Sequence, residues 1–234
     1  MSATPRFSII IPVLNEAVCI RHTLEGLQAW RAEGDEIILV DGGSTDDTLG
    51  LAHTLTDVQL LTARGRAGQM NAGAAASNGE VLLFLHADTL LPYEARQALK
   101  GIAMTEGQTG WGHFDVRLSG PGLGLRVVET MMNLRSRLTG IATGDQALFA
   151  SRTLFQSVGG FPMQPLMEDI ELSARLKRRC RPHGLRTKVE TSSRRWEAGG
   201  ILATILLMWR LRLIYWWTGD AEAVAARYRN VRGK

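Results

Sequence analysis

Three short stretches hold residues fit for chemistry. In "VLLFLHADT" five apolar residues, Val81 to Leu85, run straight into His86 and Asp88. A strand buried on both faces would thus carry a carboxylate at its C-terminal tip. In "ARGRAGQMNAG", Arg64 and Arg66 stand just ahead of a predicted helix N-terminus. Positive side chains and free backbone N–H groups there suit a diphosphate, although two solvated arginines would look the same in sequence. In "LMEDIELSARLKRR", Glu168 and Asp169 open a helix. Acids at that position favour the helix dipole by about 0.3–1 kcal/mol, a structural role that leaves a chemical one open.

The elements that must position these residues alternate. "FSIIIPV" (7–13), "EIILV" (36–40), "VQLL" (58–61) and "EVLLFL" (80–85) read as strands. Between them, helices are predicted over 18–30, with Leu24, Leu27 and Trp30 on one side, and over 67–77, ended by Gly79. Ser44 and Asp47 look like a capping box opening a helix that carries Leu49, Ala52 and Leu55. Continuous apolar strands separated by helices argue for an α/β fold with a mostly parallel sheet covered on both faces. Such a sheet gathers ligands at its carboxyl edge, where Asp41 and Asp88 would both fall. Asp41 can accept hydrogen bonds from a base N–H or from ribose hydroxyls, or "DGGS" can be simply a tight turn. The second half is less regular: a helix from near Pro92, a half-exposed strand in "WGHFDVRLSG", a helix over 123–138, a strand in "DQALFAS", and an amphipathic helix over 168–179.

The bulk properties narrow the classes. The chain has 234 residues, 45% hydrophobic, which suits one α/β domain or one domain with an appendage and excludes global disorder. A net charge of +4 is compatible with anionic ligands or an anionic membrane surface, but no basic stripe interleaved with aromatics points to nucleic acid. Cys19 and Cys180 form no metal or redox spacing, so the expected setting is the reducing cytoplasm. The apolar run near the start is short, contains Pro12 and lacks a small-residue cleavage site, so no signal peptide is read there.

Taken in order, "FSIIIPVLNEA", "EIILVDGGSTDDT", "LFLHADT", "GDQALFASRTLFQSVGGFP" and "LMEDIELSARLKRR" resemble the motifs of family 2 glycosyltransferases of the GT-A (Rossmann-like) fold. The likeness covers roughly the first 180 residues, and within the family it is nearest to a small bacterial subgroup with HAD where the usual motif is DxD. It implies transfer of a sugar from a nucleotide-diphosphate donor to an acceptor hydroxyl or phosphate, with inversion. By the same resemblance, Pro12, Asn15, Glu16 and Asp41 contact the nucleoside. Asp88 falls on the metal-binding acid of DxD, implying a divalent cation, Mg²⁺ or Mn²⁺, and Asp169, with Glu168 beside it, falls on the catalytic base. Two departures stand out. Gly42 occupies a place where the family more often has a second aspartate. His86 replaces the first acid of DxD, and imidazole is a poor Mg²⁺ ligand. "SSRRWEAGG" resembles the family's Arg-Trp element, putting Arg195 near the diphosphate and Trp196 against the acceptor, or in the core. The glutamine of the longer polymer-synthase motif is absent, so polymer synthesis is not inferred.

The boundaries expected are a catalytic domain over 1–198 and an apolar, basic helical extension over 199–234. "GGILATILLMWRLRLIYWW" has nine uninterrupted apolar residues, against about 20 for a membrane span. A helix apolar almost all round must nevertheless be covered. Its own domain, a second copy in a homodimer, or the inner face of a membrane touched peripherally through 199–217 are the three options, the last leading to a lipid acceptor. Two other functions stay open. One is a non-catalytic nucleotide-sugar-binding or scaffold protein, suggested by His86 and Gly42. The other, more distant, is a sugar-nucleotide nucleotidyltransferase, which would want a glycine-rich basic loop where "PVLNEA" stands.

Overall fold

Along Phe7–Val13 every residue but Pro12 is buried, and along Glu36–Asp41 all are. Strands this apolar need cover on both faces, and they have it. The protein is described by a computed structural model over residues 6–105 and 110–232, apart from the side chains of 103–105, 195 and 229–232. The first half runs β1 (Phe7–Val13), α1 (Ile20–Gly26), α2 (Gln28–Ala32), β2 (Glu36–Asp41), α3 (Thr48–Ala52), β3 (Val58–Leu61), α4 (Arg66–Ala76), β4 (Val81–Phe84), β5 (Thr89–Leu90) and α5 (Tyr93–Thr105). The second half runs β6 (Trp111–Leu118), α6 (Leu123–Thr139), a 3₁₀ turn (Gly144–Gln146), β7 (Phe149–Ser151), α7 (Arg152–Ser157), α8 (Glu168–Lys177), β8 (His183–Thr191), α9 (Arg194–Gly199), α10 (Ile201–Thr218) and α11 (Ala221–Arg232).

The eight strands form one sheet in the order β3-β2-β1-β4-β7-β6-β8-β5. The half β3-β2-β1-β4 is parallel, as the alternating pattern predicts. Beyond it β7 runs antiparallel to both β4 and β6, β8 is parallel to β6, and β5 antiparallel to β8, so the sheet as a whole is mixed. Alternation along β1 sends Ile9 and Ile11 into one core with Leu24, Trp30 and Phe114, and Ile10 into the other with Met70, Trp111 and Leu172. Pro12 lies past the last β4 partner, Ile10, so its missing N–H costs the sheet nothing on that side.

Several expectations need correction. The helix predicted over 18–30 breaks at Leu27, which closes α1 and opens α2. Ser44 and Asp47 form no capping box: the Ser44 hydroxyl is bound to Asp41, and Asp46 accepts the Thr48 amide at 3.1 Å. The "WGHFDVRLSG" strand is buried on both faces, with Arg117 alone exposed within β6, because α6 covers it and supplies Arg137 to Asp115. The strand expected over "DQALFAS" begins only at Phe149, leaving Asp145 in the 3₁₀ turn. Strand β8 was not anticipated.

The extension is anchored at two points. Near its start, Ile201 and Ile205 pack with Trp196 on Leu125 and Val128 of α6. Farther on, Leu211 and Val224 enclose Met167. Contrary to the short apolar run read from sequence, α10 is one helix long and apolar enough to cross a membrane by length and composition, and only 11% of it is buried.

Candidate active site

Parallel pairing sends the C-terminal ends of β1, β2 and β4 to the same edge of the sheet. There the loops after β1 and β2 are laced together. Asn15, at φ 55°, accepts the Thr45 amide at 2.8 Å, and its own amide bonds the Ser44 hydroxyl at 2.8 Å. The Glu16 amide donates to Thr48 at 2.8 Å. Asp41 is buried, and its carboxylate accepts the Gly43 amide at 3.0 Å, the Ser44 amide at 2.9 Å and the Ser44 hydroxyl. It therefore organises the loop that would meet a nucleoside. Beneath both loops lies Gln69, which sequence reasoning missed. Its buried amide donates to Val13 O and Val40 O at 2.8 Å each, clamping the ends of β1 and β2.

The antiparallel entry of β7 completes the edge. Because β7 starts where β4 ends, the turn ahead of it lies beside His86. Asp145 Oδ1 sits 3.2 Å from His86 Nδ1, and a Cβ on Gly144 would collide with the imidazole ring. The Gly144 amide donates to Asp169 Oδ2 at 2.8 Å, and the Ile170 amide to Asp169 Oδ1 at 2.8 Å. Thr143 and Gln146 close the turn as a reciprocal cap. Two residues here hold left-handed backbone without being glycine: Ala147 at φ 47°, after the turn, and Met167 at φ 65°, just before α8. Met167 is what aims Glu168 and Asp169 out of the helix start.

Glu168 is 4% exposed, with Arg66 Nη1 3.7 Å away. Burial pushes its carboxyl above the usual glutamate range, and the Asp169 charge adds to that, against the pull of Arg66 and His86. Arg135 of α6 approaches from the other side. Burial lowers its pKa despite the Asp169 and Asp145 charges, its Nε has no hydrogen-bond partner among the described residues, and Nη2 makes only long bonds to Thr143 (3.5 Å) and Gln146 (3.4 Å). Asp145 and Arg135 were not anticipated. Their places depend on β7 pairing and on α6 packing, which neither residue type nor spacing encodes.

So Arg66, His86, Glu168 and Asp169 come together. Asp88 does not join them directly. It lies 3.7 Å from Arg194 and lines a second cavity of about 340 Å³ with Cys19, His22 and Glu190. Burial and a hydrogen bond to Glu16 push the Cys19 thiol up to about 12, and both cysteines are free. Arg64 is exposed. Arg195 belongs to α9, but its side chain lies outside the described residues. Trp196 is half-buried in the apolar contact between α6 and α10. Among the described residues no group of three or more His, Cys, Asp or Glu is placed to hold a metal. Asp88 alone fits a cation that also draws ligands from substrate phosphates, the usual arrangement for Mg²⁺.

The mixed sheet with its flanking helices has the fold of solved GT-A glycosyltransferase structures. The chain is similar to a mannosyltransferase from Pyrobaculum calidifontis in complex with GDP-Man and Mn²⁺ (TM-score 0.61, 21% identity, 81% of this chain and 57% of that one). It is equally similar to TarS 1-349 of S. aureus in complex with UDP-GlcNAc (TM-score 0.65, 20% identity, 80% and 58%). Residues 8–108 match the model of glycosyl transferase family 2. A PGL/p-HBAD biosynthesis glycosyltransferase of Mycobacterium bovis is 40% identical over 100 residues, 40% of this chain and 39% of that protein. A probable glycosyltransferase of Bacillus subtilis is 28% identical over 199 residues, 75% and 47%. The chain thus spans less than half the length of these two relatives.

Proposed function

We propose that the protein transfers a sugar from a nucleotide-diphosphate donor to an acceptor hydroxyl or phosphate, inverting the anomeric centre. The observation that carries this is Asp169, held at the ligand edge by two backbone amides with the rest of its carboxylate available. For a hydroxyl acceptor, Asp169 takes the proton as the oxygen forms its bond to the anomeric carbon and the bond to the diphosphate breaks. Arg66, at the N-terminus of α4, stands where the departing negative charge needs neutralising. The laced loops around Asn15 and Asp41 offer the nucleoside contacts.

A divalent cation, Mg²⁺ or Mn²⁺, bound jointly by Asp88 and the donor would supply the Lewis acid that stabilises the leaving diphosphate. The Mn²⁺ of the Pyrobaculum mannosyltransferase complex supports that reading. The apolar α10 speaks for a lipid-borne acceptor and for a cytoplasmic enzyme working at the inner membrane face. The division between catalytic fold and extension is proposed at 198/199, in the last turn of α9. A second reading, a non-catalytic nucleotide-sugar-binding protein, is favoured by Asp88 facing Arg194 and by His86 in an acid's place.

Thermal shift with a panel of UDP- and GDP-sugars plus Mn²⁺ identifies the donor, and release of its sugar to water reports turnover. Asp169→Asn keeps the donor-induced shift and loses about 10²–10⁴-fold in turnover. Unchanged turnover removes Asp169 from the mechanism. Donor binding without turnover in the unmodified protein favours the second reading.

A further inference from the structure

Helix α6 exposes Leu123, Val127, Met131, Leu134 and Leu138, spaced so that they form one stripe. Helix α10 exposes Leu202, Leu206, Trp209, Leu213 and Trp216 in a second stripe. The helices meet where Ile201 and Ile205 reach Val128, and between them opens a cavity of about 700 Å³. Its walls are apolar, including Met131, Met132, Leu206, Trp209, Leu213 and Trp216, while Arg135 and Asp145 stand among its lining. Asp145 is the partner of His86, and Arg135 lies within the electrostatic reach of Asp169. The groove therefore has two kinds of end: one among the reacting groups, the other on exposed apolar helix.

We propose that this groove holds the apolar chain of an amphiphilic acceptor, with an anionic head directed at Arg135. The proposal rests on the transferase reading and gives its acceptor a chemical class and a place. Three features select this occupant. A polar terminus on an otherwise greasy trough matches a molecule with one charged end and one hydrocarbon end. Among the described residues the Arg135 Nε lacks a partner and its Nη2 bonds are long, so an anion arriving there completes a donor set those residues leave unfilled. Finally, Arg210 and Arg212, also in the lining, punctuate a helix that is otherwise apolar through Trp217. That arrangement suits anionic headgroups at a bilayer surface, with Trp209, Trp216 and Trp217 at the boundary. A second copy of the chain would cover the stripes but deliver no nucleophile to Asp169.

The test uses the full chain and dodecyl phosphate carrying bromine near the chain end, below its micelle concentration. Trp196, Trp209 and Trp216 line the groove and report it through fluorescence. Saturable quenching is expected. Inorganic phosphate should neither quench nor compete. Leu206→Glu, at an exposed site that does not threaten folding, should weaken quenching roughly tenfold or more. Arg135→Met should weaken binding of the phosphate while leaving bromododecanol unaffected. Circular dichroism and a melting curve check that each variant is folded. Absence of saturable quenching in protein that releases sugar from its donor overturns the groove, and so does quenching indifferent to Leu206→Glu. A dimer that Leu206→Glu splits in sedimentation, with quenching unaltered, would assign the face to a second copy instead. Quenching as expected without any donor turnover would sink the transferase reading and leave the groove an amphiphile site.

Discussion

The two edges of the sheet bury charge in opposite ways. At the edge where β1 and β2 begin, Glu36 is buried, yet it accepts from Ser8 Oγ (2.6 Å), Asn78 Nδ2 (3.2 Å) and the Gly79 amide (3.0 Å), besides the Asn78 amide. Burial alone would raise its pKa; these bonds outweigh it and hold the carboxyl below the usual range. Beside it Arg96, 1% exposed, bonds Asp35 at 2.6 Å and also Glu33, and its guanidinium lies 5.8 Å over the Phe7 ring. At the opposite edge Glu168 is equally buried, but among the described residues its ion pair is with the distant Arg66, and its carboxyl goes up despite the pull of Arg66 and His86. Both edges carry buried carboxylates and an arginine. One set is filled by its own protein, the other is left with capacity for something else. That difference, rather than burial or charge itself, marks the functional edge.

The largest expected effect breaks the filled edge. Arg96→Met leaves Asp35 buried without its arginine and should cost about 3–5 kcal/mol of stability in denaturant unfolding, whereas Asp169→Asn should shift the melting temperature by no more than about 1 °C while losing about 10²–10⁴-fold in turnover. If both variants were equally unstable, the two edges would not differ in kind. Next comes Gln69→Leu, which takes donors away from Val13 O and Val40 O. About 1–3 kcal/mol is expected, with weaker donor binding in the thermal-shift assay because the Asn15 and Asp41 loops lose their common floor.

The smallest effect sharpens the contrast through pH. Glu168 has a raised pKa in the fold. Above the ordinary glutamate range the unfolded chain gives up a proton that the native state keeps, so stability falls as pH rises across that window. Glu36 works the other way, stabilising at neutral pH and losing that contribution as pH falls through its lowered value. Glu168→Gln should therefore melt a few degrees above the unmodified protein at pH 8 and show no gain at pH 4. A gain that persists at pH 4 would mean the carboxyl is not what destabilises the native state.

How far this was legible in the sequence follows from what each feature depends on. The parallel half was readable because each of its central strands, β1, β2 and β4, is a continuous apolar run and helices intervene. So were Asp41, Asp88, Glu168 and Asp169, all at strand tips or helix starts, where spacing alone fixes an address. Strand β8, "HGLRTKVET", was not, because six of its first seven residues are exposed or half-exposed and their polarity gives no apolar run to read. Its place is set by pairing with β6 across a register shift at Phe114/Asp115. Asp145 was hidden for a related reason: its meeting with His86 requires β7 to enter antiparallel beside β4. Gln69 sits in an alanine-rich helix and reads as a surface residue until the strand ends beneath the loops are seen. The split role of the HAD motif, with His86 turned to the acids and Asp88 to Arg194, likewise appears only in three dimensions.

The left-handed backbone at Ala147 and Met167 has a practical consequence for anyone trying to toughen this protein. Each such residue costs on the order of 1–3 kcal/mol, so a glycine at either position is the obvious heat-resistant design. Those two joints also fix the bearings of Asp145 and Asp169. Relaxing them would trade aim for durability, and a screen scored on melting temperature alone would select against turnover.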